Sequence, residues 1–167
     1  MREILFKAKS KKIDIWVEGY YCKMDETTKC FDYDYDQNPP KTLHFIIEET
    51  MTDWGLPNEF VYREIIPETL CRFTGLISKR GRMIWENDIV KDIWSNNTGI
   101  VKFGTYTNCF DREGVEVQHI GFYVDWGSNN RLRKDLGYWI NLVDAEILGN
   151  IWDNFKPKGE VFNEDNK

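Results

Sequence analysis

Residues 71–90 read Cys71-Arg72-Phe73-Thr74-Gly75-Leu76-Ile77-Ser78-Lys79-Arg80-Gly81-Arg82-Met83-Ile84-Trp85-Glu86-Asn87-Asp88-Ile89-Val90. Two short strand-like stretches, Cys71 to Leu76 and Met83 to Trp85, flank Ser78-Lys79-Arg80-Gly81. Gly81 stands where a tight turn needs positive φ, a conformation that only glycine adopts freely. The stretch therefore predicts a β-hairpin. A further strand starts after Asn87-Asp88, over Ile89 to Trp94. Phe73, Leu76, Ile84, Ile89 and Val90 are the expected core around this turn.

The same pattern extends outward in both directions. Strands are expected over Ile4 to Lys9, Lys12 to Met24, Leu43 to Glu48, Glu59 to Ile66, Gly99 to Phe103, Val115 to His119, Gly121 to Trp126 and Gly137 to Leu142. Ile13, Ile15 and Val17 alternate as a half-buried strand requires. Gly19 interrupts that strand, which predicts a bulge or a close approach of another backbone. Asn38-Pro39-Pro40 closes a long loop, because proline donates nothing to a ladder. Val143 to Trp152 reads as a short helix or a closing strand. Strands recurring at this spacing predict a mainly β fold, antiparallel, of small-barrel or sheet architecture, with at most short helices.

The chain has 167 residues and a net charge of −6, with 41% hydrophobic and 15% aromatic residues, seven of them Trp. That is ample for a core and argues against global disorder. Residues 14–68 carry thirteen acidic side chains against four basic, and residues 69–91 five basic against two acidic. The change of sign, bracketed by Pro57 and Pro67, suggests a boundary. The expected division is an N-terminal β subdomain over 1–68 with an acidic insert, a C-terminal barrel over 69–156, and a flexible tail over 157–167. No apolar run is long enough to span a membrane, and no signal-peptide pattern follows Met1. A cytoplasmic location is expected. In that compartment Cys22, Cys30, Cys71 and Cys109 are expected as free thiols.

Three stretches resemble the YopX family of phage and prophage proteins. The first is Met1-Arg2-Glu3-Ile4-Leu5-Phe6-Lys7-Ala8. The second runs from Ile66 through Phe73-Thr74-Gly75-Leu76 and the Lys79–Gly81 turn to Asn87-Asp88-Ile89-Val90. It is similar to the family's pattern of Phe-Thr-Gly-Leu, a Lys-and-Gly turn, and a strand ending in Gly-Asp-Ile-Val. The third is Glu146-Ile147-Leu148-Gly149-Asn150-Ile151-Trp152-Asp153-Asn154. Asn87 replaces the family's usual Gly, and Asn also tolerates left-handed backbone. The acidic insert Asp25 to Pro40 has no counterpart in the pattern. The resemblance implies a phage or prophage origin and a mostly β fold, and it supplies no catalytic residues. By fold-level analogy the C-terminal half is expected to be SH3-like.

Sites of chemistry are sparse. Asp32-Tyr33-Asp34-Tyr35-Asp36 opens like a calcium loop, but Gln37 and Leu43 stand where such a loop needs Gly and Glu. It reads as a solvated acidic edge. Cys22 and Cys30 are too widely spaced for zinc, and His44 and His119 are isolated on strand-like segments. Cys109 with His119 lacks any sign of an oxyanion hole. No catalytic group, metal or cofactor is therefore expected. The candidate binding surface consists of Lys79, Arg80, Arg82, Lys102, Arg131, Arg133 and Lys134, with Trp85, Tyr106, Phe122 and Tyr123 near them in sequence. Basic groups neutralise phosphate and aromatic rings stack on bases. A solvated turn and loop explain the same residues, and the acidic net charge favours that plainer reading.

The leading expectation is a non-enzymatic interaction module that binds a host or phage protein through an exposed sheet face or hairpin loop. Trp and Tyr are enriched at such interfaces. The alternative is a nucleic-acid-binding protein of phage replication or regulation. The sequence leaves self-association open, since edge strands often pair with a copy of themselves.

Overall fold

The structure, a computed structural model, describes residues 4–28, 36, 38–107, 117–127 and 132–153. It is mainly β. Among the described residues ten strands are formed: β1 (Phe6–Lys9), β2 (Trp16–Asp25), β3 (Thr42–Thr50), β4 (Glu59–Glu64), β5 (Cys71–Ile77), β6 (Met83–Trp85), β7 (Asp88–Lys91), β8 (Thr98–Tyr106), β9 (His119–Asp125) and β10 (Glu146–Asn150). They build two antiparallel sheets, one ordered β4-β3-β2-β1-β5-β6 and the other β10-β7-β8-β9. Two short helical turns accompany them, a 3-10 turn at Pro67–Thr69 and a π-helical turn at Tyr138–Val143.

β1 is the hinge of the larger sheet. It pairs with β2 on one side and with β5 on the other, through Phe6↔Arg72 and Lys7↔Cys71. Just past β1, Ser10 bridges Ile65, and the Lys11 N–H donates to the Glu64 carbonyl. The first four strands thus curl back on themselves in a barrel-like roll. Inside it lie Ala8, Val17, Ile46 and Ile65. A second core gathers Ile84, Val90, Val101, Val124, Trp126, Leu136, Trp139, Ile140 and Ala145. Residue 68 falls between the two clusters, while the β1–β5 ladder carries one sheet across it.

Local chemistry explains the decisive hairpin. Gly81 has φ +79°, its N–H donates to the Ser78 carbonyl, and the Ser78 N–H donates to the Arg82 carbonyl. Asn87 adopts φ +66°, the left-handed conformation expected at that position. Gly19 is demanded by proximity: a Cβ there would lie 2.2 Å from the Ile47 carbonyl oxygen.

Three expectations need correction. Ile13 and Ile15 are not strand residues. They sit in the bend joining β1 to β2, are about half exposed, and leave only Val17 buried. Antiparallel pairing of Lys9 with Trp16 requires the chain to reverse there. The stretch Gly137 to Leu142 forms the π-helical turn instead of a strand. Leu136, Trp139 and Ile140 are all buried, and their i, i+3, i+4 spacing places them on one helical face. The turn stops at Asp144, which is left-handed, with the Ala145 N–H donating to the Trp139 carbonyl. The two strands expected over Val115 to His119 and Gly121 to Trp126 are one described strand, β9, and residues 108–116 lie outside the described set. Of the two readings of Val143 to Trp152, the closing strand is the one formed, as β10. Cys22 and Cys71 are free thiols, whereas Cys30, Cys109 and the tail over 157–167 lie outside the described residues.

These placements separate two isoleucines of similar sequence context. Ile46→Ala should lower unfolding free energy by about 2–5 kcal/mol, the range for a fully buried aliphatic truncation. Ile13→Ala should change it by no more than about 0.5 kcal/mol, as for exposed positions. Urea denaturation of both variants reads the difference.

Candidate functional site

The most constrained cluster lies where the two sheets meet. Asp88 is fully buried at the start of β7. It accepts from the Lys7 ammonium at 3.2 Å, from the Trp85 N–H at 2.9 Å and from the Asn150 amide at 2.9 Å. Lys7 also lies over the rings of Trp16 and Trp85, at 4.7 and 5.4 Å from their centroids. A buried charge is tolerable only when paired and hydrogen-bonded, and this one is both. The Asn150 amide bonds the Glu86 carbonyl too, and the Trp16 indole N–H donates to Asp153 at 3.0 Å. Burial works against ionisation of Asp153, but the Asn150 N–H and the Trp16 indole hold its carboxyl below the ordinary value. Burial pushes the Cys71 thiol up to about 11, against opposing contacts from Asn87, Lys7 and Asn150. That thiol is no nucleophile at neutral pH, because the thiolate is the reactive form.

A cavity of about 300 Å³ opens beside this cluster, lined by Lys7, Trp16, Glu18, Arg82, Trp85 and Asp153, among others. Its charges are mixed, and Lys7 and Asp153 are already engaged within the chain. The cluster therefore joins the sheets and offers no convergent acid–base pair.

The basic residues expected as a binding surface divide into two groups. Lys79, Arg80 and Arg82 occupy the β5–β6 turn and are exposed. Arg80 and Arg82 line one cavity with Glu146 and Ile147, and the Arg82 guanidinium donates to the Ile147 carbonyl at 3.0 Å. Lys102, Arg133 and Lys134 lie by β8 and β9. Lys102 bonds Asp125 at 2.6 Å, and this contact raises the lysine pKa and lowers that of the carboxyl. Arg133 contacts Asp135 and lies 4.8 Å from the Tyr138 centroid. The Lys134 carbonyl accepts from the Val124 N–H along the outer edge of β9. Arg131 lies outside the described residues. Of the aromatic residues expected nearby, Trp85 is core and Phe122 packs against core, while Tyr106 stacks on Tyr123 and His119. His44 is likewise in an aromatic contact, its Nδ1 2.7 Å from the Tyr21 hydroxyl. Among the described residues no group of three His, Cys, Asp or Glu is placed to hold a metal. Cys109 and the first two Asp of the acidic run lie outside that set.

A surface that sequence reasoning missed is the outer face of the roll. Residues directly opposite in an antiparallel pair share a face. The row Tyr20–Ile47–Tyr62 therefore crosses three strands on one side. Cys22–Phe45 and Met24–Leu43 extend it in one direction, and Phe60 opposite Glu49 in the other. Ile46, on the opposite side, is core. Phe60 and Tyr62 are about 60% exposed, and Tyr20 and Met24 over 40%. Trp54, in the β3–β4 connection, is 94% exposed. The sequence did carry a signal: Leu43, Phe45, Ile46 and Ile47 are apolar on both sides of one strand, which a single core does not explain.

Comparison with known proteins adds one match. The family described as YopX protein matches residues 5–156. No curated protein and no solved structure matches the chain.

Two outcomes follow from the junction. Asp88→Ala strands the Lys7 ammonium in a buried site and should cost about 3–5 kcal/mol in a denaturation experiment. The Cys71 thiol keeps its proton in the folded chain up to about 11, whereas the unfolded thiol releases it near 9.0. Stability from this group is present below 9 and is lost as pH rises toward 11. Thermal melts of wild type and Cys71→Ala should therefore show the wild type losing ground over that window.

Proposed function

We propose, from the premise that this chain belongs to the YopX family, that it is a non-enzymatic interaction module encoded by a phage or prophage. It binds a host or phage protein through the outer face of β2, β3 and β4. The observation that supports this most is the three-strand row Tyr20–Ile47–Tyr62 with its apolar neighbours, of which Met24, Phe60 and Tyr62 are exposed. Contiguous apolar patches of this kind on soluble chains mark interaction sites. Trp54 beside it is the type of large, rigid side chain that anchors interfaces. We read the four-stranded sheet, with the π-helical turn over its core, as an SH3-like module that supports this surface.

The nucleic-acid alternative has one supporting observation. Lys102 shares a face of the β8–β9 hairpin with Tyr106 and Tyr123. Against it, Lys102 and Arg133 are each neutralised by a neighbouring aspartate.

The test is an affinity capture from bacterial lysate, with and without nuclease, using wild type and a Tyr20→Asp/Met24→Asp variant. The expected result is a nuclease-resistant protein recovered by wild type and lost with the variant. Identical recovery with both proteins overturns the reading. Partners that vanish on nuclease treatment move the nucleic-acid reading to first place.

A further inference from the structure

Among the described residues three of the four sheet edges are short or partly capped. β6 is only three residues long. β9 is capped by Lys134 and Asp135, through the Val124 N–H and a Tyr123↔Asp135 bridge. On β10 the Ile147 carbonyl takes the Arg82 guanidinium, and the Asn150 N–H takes Asp153. β4 is different. It ends the six-stranded sheet with six residues, Glu59-Phe60-Val61-Tyr62-Arg63-Glu64.

The ladder phase shows which backbone groups of β4 face outward. The Ile65 N–H donates to the His44 carbonyl, so residues 65, 63, 61 and 59 bond toward β3. Residues 60, 62 and 64 bond away from it. The Glu64 carbonyl is taken by the Lys11 N–H. Among the described residues nothing pairs with the outward N–H and C=O of Phe60 and Tyr62. An open edge of this kind is a template for another strand.

We propose that the occupant is a second copy of β4, antiparallel, with the two-fold axis at Val61. Only this register sets Phe60 against the partner's Tyr62, and Tyr62 against the partner's Phe60, so that all four open groups pair. A shift that places the axis at Tyr62 faces Phe60 with the partner's Glu64, whose carbonyl is engaged. The side chains agree with the backbone. On the outer face each Phe60 meets a Tyr62, an aromatic cross-strand pair. On the other face each Glu59 meets an Arg63, which also pairs with Glu48 of its own chain, an opposite-charge contact. The five residues 59–63 thus pair with their own copies through both backbone and side chains, as an isologous interface requires. Dimerisation also joins the two apolar faces into one continuous surface. It does not rest on the protein-partner reading, because the edge acts through backbone groups and the face through side chains.

The first measurement is the mass of wild type by sedimentation equilibrium over a concentration series. The expected value approaches twice the 19.9 kDa chain mass. Phe60→Pro removes an outward donor and leaves the β3 ladder intact. It should weaken the dimer by about tenfold or more. Val61→Cys sets two thiols across the axis in a non-hydrogen-bonded pair, with Cα atoms about 4.5 Å apart, within disulfide reach. Mild oxidation should give a covalent dimer that wild type, with its own four cysteines, does not give. A monomer or a trimer for wild type overturns the proposal, and so does a dimer that Val61→Cys fails to cross-link. Should Phe60→Pro fail to fold, Val61→Cys decides alone.

Discussion

A single buried carboxylate sets the terms for this fold. Asp88 receives Lys7 from β1, the Trp85 backbone at the end of β6, and Asn150 from β10. Those donors come from both sheets and from the first, middle and last thirds of the described chain. Such a pair contributes little net stability over an apolar replacement, because desolvation offsets the attraction. What it contributes is geometry. A displaced sheet leaves a charge unpaired in a dry site, so only one arrangement of the two sheets is acceptable.

This changes how the family pattern reads. The stretch around Asn87-Asp88-Ile89-Val90 belongs to its most specific part, and its residues are engaged with those around the closing Asn150. Asn87 turns the backbone so that its N–H reaches the Val101 carbonyl and its carbonyl takes the Ile151 N–H. The pattern therefore encodes how β7 and β10 meet β1 and β5. The exposed apolar side chains Met24, Phe60 and Tyr62 lie elsewhere, on the outer side of β2, β3 and β4, where the sequence carries no recognisable motif.

Strand identity was largely legible because it rests on local rules. Turn glycines, Pro67 and alternating apolar residues announce the hairpins without help from distant parts of the chain. Two signals misled. Ile13 and Ile15 alternate like strand residues, but the reversal that β1–β2 pairing needs lies on top of them. Tyr138-Trp139-Ile140 has strand-like composition, and burial of Trp139 and Ile140 side by side overrode that preference. The surroundings of the candidate basic residues were less legible. A basic residue in sequence does not disclose its neighbours, and Asp125 and Asp135 had already claimed Lys102 and Arg133. Lys7 and Lys9 stand in a lysine-rich segment, yet both are buried over the Trp16 ring. Their partners come from far along the chain or from the bend, and only the fold brings them there.

The long reach of β1 has a kinetic consequence. Its ion pair to Asp88 spans 81 residues, and the Trp16–Asp153 bond spans 137. Chain closure over such spans must be met before any reward arrives, so folding rate falls as these separations grow. During synthesis the first hairpin emerges early, but the Lys7 ammonium waits for residue 88 and Trp16 for residue 153. β1 presents an open side only until β5 is made and docks on it. The registration of the two sheets is completed later, when Asn150 and Asp153 reach Asp88 and Trp16.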